Sequence, residues 1–138
     1  MIQEQIFWPM IGLVALTFIV APQILFRRLQ AAFAGKVGPK DFRGGESERV
    51  PPDVAIPNRN YMNLLELPVL FYTVCLCLFV TRHVGAPDVV MAWGFTLARL
   101  AHSLIHLTYN NVLHRLLAFN TGALLLMALW LRFAAALL

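Results

Sequence analysis

Four apolar stretches, at about residues 6–26, 60–80, 88–109 and 116–137, dictate what this chain can fold into. At a rise of about 1.5 Å per residue, a helix of each length crosses the ~30 Å hydrocarbon core of a bilayer. Only 13% of the 138 residues are charged, about half the share in ordinary soluble domains. With a mean hydropathy of +0.69, the chain reads as an integral membrane protein with no room for a second domain. The second and third connections are short, so the helices pack antiparallel. The expected fold is all-α: a single four-helix transmembrane bundle over residues 1–138.

The net charge of +4 is not an argument for nucleic acid, because the basic residues concentrate in loops at one end. Arg27, Arg28, Lys36, Lys40, Arg43, Arg49, Arg59 and Arg115 fall on the side of the first and third connections. Arg82 and Arg132 fall on the other side, and Arg99 lies inside a span. Eight against two places the long loop, residues 27–59, in the cytoplasm and both termini away from it. Gly-Pro and Pro-Pro pairs make that loop irregular, with room for a short helix at 29–34. The first stretch lacks a basic leader and carries Glu4, so it reads as a retained helix rather than a signal peptide. Cys75 and Cys77 fall on nearly opposite faces of one helix, which suits buried thiols rather than a disulfide or a shared metal.

Within this apolar frame the polar residues stand out, because ionisable groups in a membrane helix are costly and mark sites. Arg59, Asn63 and Glu66 form one stripe on the second helix at spacings of four and three. Pro68 lies just beyond, inside the apolar run, where a kink is tolerable once neighbouring helices satisfy the freed carbonyl. Arg99, His102, His106 and Tyr109 form a facing stripe on the third. Glu66 lies roughly 9 Å and His102 roughly 10 Å in from the same membrane face, and Asn120 enters from the fourth helix at similar depth. The distal half of every helix is nearly all apolar. Such a layer can be glue, with Glu66 paired to Arg99 and the amide and imidazoles bonding between helices. It can also line a pocket for a small polar ligand. His102 and His106, at i and i+4, additionally fit a metal or haem, with Glu66 or His114 as a third ligand. A four-helix bundle has little interior for so many polar groups, which points to oligomerisation.

An Arg-x-x-x-Asn-x-x-Glu pattern followed by a proline (Arg59, Asn63, Glu66, Pro68), an Arg followed by His one turn on (Arg99, His102), and a further Arg near the third connection (Arg115) together resemble a known family. It is the MAPEG family, the membrane-associated proteins of eicosanoid and glutathione metabolism, of which this chain looks like a divergent, bacterial-type member. The resemblance covers essentially the whole chain. It implies a homotrimer with glutathione sites between neighbouring subunits, opening toward the cytoplasm. Glu66 would hold the glutathione α-amino group and Asn63 its peptide. Arg59, Arg99 and one of Arg27 or Arg28 would hold its carboxylates, with His102 and His106 alongside. Arg115 would be the catalytic residue that favours the thiolate, and the second substrate would be a lipophilic electrophile. His106 stands where the family pattern has a tyrosine. The same fold also serves non-catalytic members that bind lipid or join a larger membrane complex.

Overall fold

A computed structural model of the chain describes residues 2–138, all-helical and without a strand among them. A 3-10 turn at Ile2–Ile6 leads into α1 (Phe7–Phe33). α2 (Pro52–Leu65) and α3 (Leu67–Val80) are halves of one span broken at Glu66, and α4 (Ala86–Leu107) and α5 (Val112–Ala136) complete the bundle. The units run alternately up and down. Both chain ends therefore lie at one end, the terminal end, while residues 34–51 and 108–111 cap the other, the loop end.

Three units are long and apolar enough to cross a membrane: Ile2–Phe33, Pro52–Val80 and Val112–Ala136. α4 has the length but carries Asp88, Arg99, His102 and His106, all of them buried. On its opposite side Val90, Leu97 and Leu104 are each more than half exposed. The helix is thus polar toward the bundle and apolar outward, which is how ionisable groups survive in lipid.

The helix ends depart from the sequence expectation in three places. α1 does not stop at Phe26 but continues to Phe33, because Leu29, Gln30, Ala31 and Ala32 are strong helix formers and a membrane edge does not end a helix. The short helix expected at 29–34 is the continuation of α1. Its stop is Gly35, at φ +69°, where glycine carries no Cβ penalty. Gly35 N donates to Ala32 O at 2.9 Å and Lys36 N to Ala31 O at 3.0 Å, closing the helix in a Schellman turn. The second span begins at Pro52 rather than residue 60. A proline in the first turn has no helical hydrogen bond to lose. The connecting loop is therefore 34–51, not 27–59. Finally, Pro68 does not kink a continuous helix. The chain breaks two residues earlier, at Glu66 (φ −82°, ψ −88°), and Pro68 falls in the first turn of α3.

Packing divides the bundle into two layers. Toward the terminal end, Leu13, Leu16 and Val20 of α1 meet Phe71, Val74 and Leu78 of α3, Phe95 of α4 and Leu126 and Leu129 of α5. Phe71 stacks on Phe95 with ring centroids 4.5 Å apart. The buried polar residues Asn60, Arg99, His102, Ser103 and His106 lie toward the loop end. Cys75 is buried, Cys77 half-buried, and both are free. The terminal end is closed by Asp88, 1% exposed, which accepts from Arg132 Nε at 2.8 Å and from Gly85 N at 2.9 Å.

The 34–51 loop is ordered around one carboxylate. Asp41 accepts from Gly38 N at 2.8 Å and Ser47 Oγ at 2.9 Å. These bonds, the backbone one first, hold its pKa below the ordinary 3.8.

Candidate functional site

α4 and α5 approach closely through small residues, which brings polar side chains of both helices into one layer. A Cβ placed on Gly122 of α5 would sit 3.7 Å from Arg99 Nε and 3.5 Å from the Ala98 Cβ of α4. The connection between the two helices is built from two asparagines. Asn110 takes φ +48°, a left-handed conformation that asparagine tolerates. Asn111 caps α5, its Oδ1 accepting from His114 N at 3.1 Å.

This turn aims Arg115. Its Nη1 donates to Asn110 Oδ1 at 2.6 Å and lies 3.3 Å from His106 Nδ1, which is itself 3.0 Å from the same Asn110 oxygen. The backbone carbonyl of Arg115 accepts from His102 Nδ1 at 3.2 Å. A carbonyl only accepts, so the proton of a neutral His102 is on Nδ1 and its Nε2 is an acceptor. That Nε2 is buried and has no partner. The main chain of the Arg and the side chain of the His are thus locked together.

Asn63, His102 and Arg115 line one cleft of about 190 Å³, with Val112, Leu116 and Phe119 as its apolar wall. Three of the residues expected from the sequence converge there. Asn63 is oriented within its own helix, Nδ2 donating to Arg59 O at 3.0 Å. His106 stands behind Arg115 as an anchor. Arg99 is fully buried, its three guanidinium nitrogens lack hydrogen-bond partners, and its charge rests 4.7 Å from the Phe119 ring centroid. Since Phe119 also lines the cleft, Arg99 sits behind that ring rather than on the cleft surface.

The remaining expected residues do not line that cleft. Glu66 is exposed at the hinge between α2 and α3, and no ion pair joins it to Arg99 among the described residues. Arg59 is exposed on α2. Arg28 turns to the loop, 3.5 Å from Glu46 and over the Phe42 ring at 4.5 Å. Tyr109 points outward, its hydroxyl 3.0 Å from His114 Nδ1 at the exposed loop end. Among the described residues, no three His, Cys, Asp or Glu side chains are placed to hold a metal ion. The His102 and His106 rings stand nearly perpendicular, at 86°, with both Nδ1 atoms engaged.

The structure adds residues that the sequence reading did not assign. Asn60 is fully buried with both side-chain polar atoms unpartnered, and the Ser103 hydroxyl is likewise buried and unpartnered. Asn60 shares the inward stripe of Pro57 and Leu64, at spacings of three and four, and that periodicity was the available signal. Asn110 had no such signal, because its role depends on a turn conformation.

Fold and site together define an integral membrane helical bundle with a polar cleft at one end, walled by an amide, an imidazole and a guanidinium. The MAPEG family model matches residues 6–135, nearly the whole chain, and the protein belongs to that family. No curated protein and no solved structure gives a significant match.

Proposed function

We propose that the protein is a glutathione-dependent transferase or peroxidase acting on a lipophilic electrophile from the bilayer, and that it works as a homotrimer. The observation that carries this reading is the convergence of Asn63, His102 and Arg115 on one cleft, in a chain of this family. The donor set suits glutathione, whose carboxylates, ammonium, peptide groups and thiol call for guanidinium, carboxylate and amide partners. When bound, glutathione supplies a thiol that acts as nucleophile or reductant. Arg115 is the catalytic residue, since a guanidinium beside a thiol favours the reactive anion. Its direction is preset by Asn110 and His106. Asn63 receives the peptide and Glu66 the ammonium, Arg59 and, once released from Glu46, Arg28 serve the carboxylates, and Arg99 behind the Phe119 ring contributes its charge without touching the ligand. Val112 and Leu116 are more than half exposed beside the cleft, an apolar approach for the second substrate.

The size of the cleft suits a site completed by a neighbouring copy. At about 190 Å³ it falls short of the ~300–1,000 Å³ of ordinary ligand pockets. Arg59 and Glu66 are exposed outside it, available to serve as the facing wall of a neighbouring copy's site, and Arg28 could join them on leaving Glu46. The loop end faces the cytoplasm, by its excess of Lys and Arg, so both termini face away.

Equilibrium dialysis of the detergent-purified protein against labelled glutathione tests the proposal. Saturable binding is expected, and Glu66→Ala should weaken it about tenfold, the effect of losing one charge-assisted bond. An intact oligomer that binds no glutathione at millimolar concentration would overturn it.

A further inference from the structure

At the loop end, apart from the Asn63–His102–Arg115 cleft, a larger cleft of about 280 Å³ opens between the last turns of α1 and the first turn of α2. Arg27, Gln30, Lys36 and Asp53 line it, over a floor that includes Ala31 and Val54. Beside it on α1 lies an open apolar groove of about 390 Å³, formed by Phe26, Leu29 and Phe33 and again by Gln30. Helix geometry joins the two. At about 100° per residue, Gln30 stands between the Phe26 and Phe33 stripe and the stripe of Arg27 and Ala34. The Schellman turn at Gly35 fixes the backbone that brings Lys36 to the polar cleft.

The composition of this double cleft is specific. Two cations and one carboxylate face the polar half, and none of them is in an ion pair. The ion pairs among the described residues join Arg28 to Glu46 and Arg132 to Asp88. The apolar half is open: Phe26 is 65% and Phe33 88% exposed. It lies on the last two turns of a helix long and apolar enough to cross a membrane, on both sides of Arg27 and Arg28. Ordinary bilayer contact accounts for Phe26. It does not account for a carboxylate lining the same recess as two unpaired cations.

We propose that this cleft binds one aminophospholipid of the adjoining leaflet. Arg27 and Lys36 hold the phosphate, Asp53 accepts from the primary ammonium, and an acyl chain lies along Phe26, Leu29 and Phe33. Asp53 decides the headgroup. A quaternary choline has no N–H to give it, and an anionic glycerol headgroup brings no cation to meet it.

The test uses the full-length protein in mixed micelles containing equal amounts of phosphatidylethanolamine, phosphatidylcholine and phosphatidylglycerol with identical acyl chains. Lipid retained after washing is counted by native mass spectrometry. The wild type should retain phosphatidylethanolamine over phosphatidylcholine by about threefold, the scale of one exposed charge pair. Asp53→Asn should bring that ratio to unity with total phospholipid unchanged. Arg27→Gln with Lys36→Gln should lower retention of all three lipids, and Phe33→Ser should lower it without changing the ratio. Equal retention by the wild type, enrichment of phosphatidylglycerol, or an Asp53→Asn ratio matching wild type would each overturn the proposal.

Discussion

Asn110→Gly removes the amide that anchors Arg115 while leaving intact the turn that carries it. At φ +48° glycine is at ease where alanine would be strained, so the glycine variant isolates the side chain. It deletes the 2.6 Å bond from Arg115 Nη1 and the 3.0 Å contact of His106 Nδ1 with the same oxygen. A hydrogen bond to a charged group contributes about 1.5–3 kcal/mol when buried. Arg115 is only half-buried, which lowers the figure to about 1–2 kcal/mol. If that energy positions the guanidinium in the transition state, kcat/KM falls about 5- to 30-fold, at about 1.36 kcal/mol per decade. The assay is initial rates in detergent with glutathione and a chloronitroarene electrophile. The loss should appear in kcat, with KM for the electrophile little changed. Asn110→Asp should be slower still, because a carboxylate on Nη1 offsets the positive field that the thiol needs. Wild-type kcat in Asn110→Gly would refute the anchoring role.

Two further outcomes follow from the polar contacts at opposite ends of the bundle. Arg132→Leu strands the buried Asp88 with Gly85 N as its remaining donor. Arg132 is 47% exposed, so the destabilisation should be about 2 kcal/mol rather than the 3–5 of a fully buried pair. Dodecyl sulfate unfolding followed by tryptophan fluorescence measures it, and adding Asp88→Asn should recover most of the loss. In the loop, the pKa of Asp41 is depressed on folding. Its stabilisation is therefore complete above the unfolded value of 3.8 and lost as pH falls through the folded one. Asp41→Asn should reproduce that loss at neutral pH as faster tryptic cleavage after Lys40 and Arg43.

The bundle was legible in the sequence because hydrocarbon leaves a chain few options, and four long apolar stretches use one of them. Part of the polar layer was legible for the same reason: Asn63 and His102 are conspicuous where lipid-compatible side chains are cheap, whereas Arg115, counted among the loop charges, was singled out by the family pattern alone. Local stops were harder to read. Arg27 and Arg28 mark a change of solvent, whereas α1 ends at Gly35, where backbone geometry allows the turn. Pro52 and Pro68 read as interruptions but occupy first turns, where proline is compatible with a helix. What spacing could not show was which side of a ring a charge lies on. Arg99 shares the stripe of His102, yet Phe119 of another helix covers it. The role of Asn110 in anchoring Arg115 exists only once α5 returns beside α4.

The proposed activity requires Arg115 to meet a thiol in the cleft it shares with Asn63 and His102. Ultraviolet difference spectra on titrating glutathione into the detergent-purified protein measure this, because a bound thiolate absorbs where the thiol does not. The wild type should develop the thiolate band at neutral pH, and Arg115→Leu should bind glutathione without developing it. A wild type that shows no band at saturating glutathione, or an Arg115→Leu band equal to the wild type's, would contradict the account.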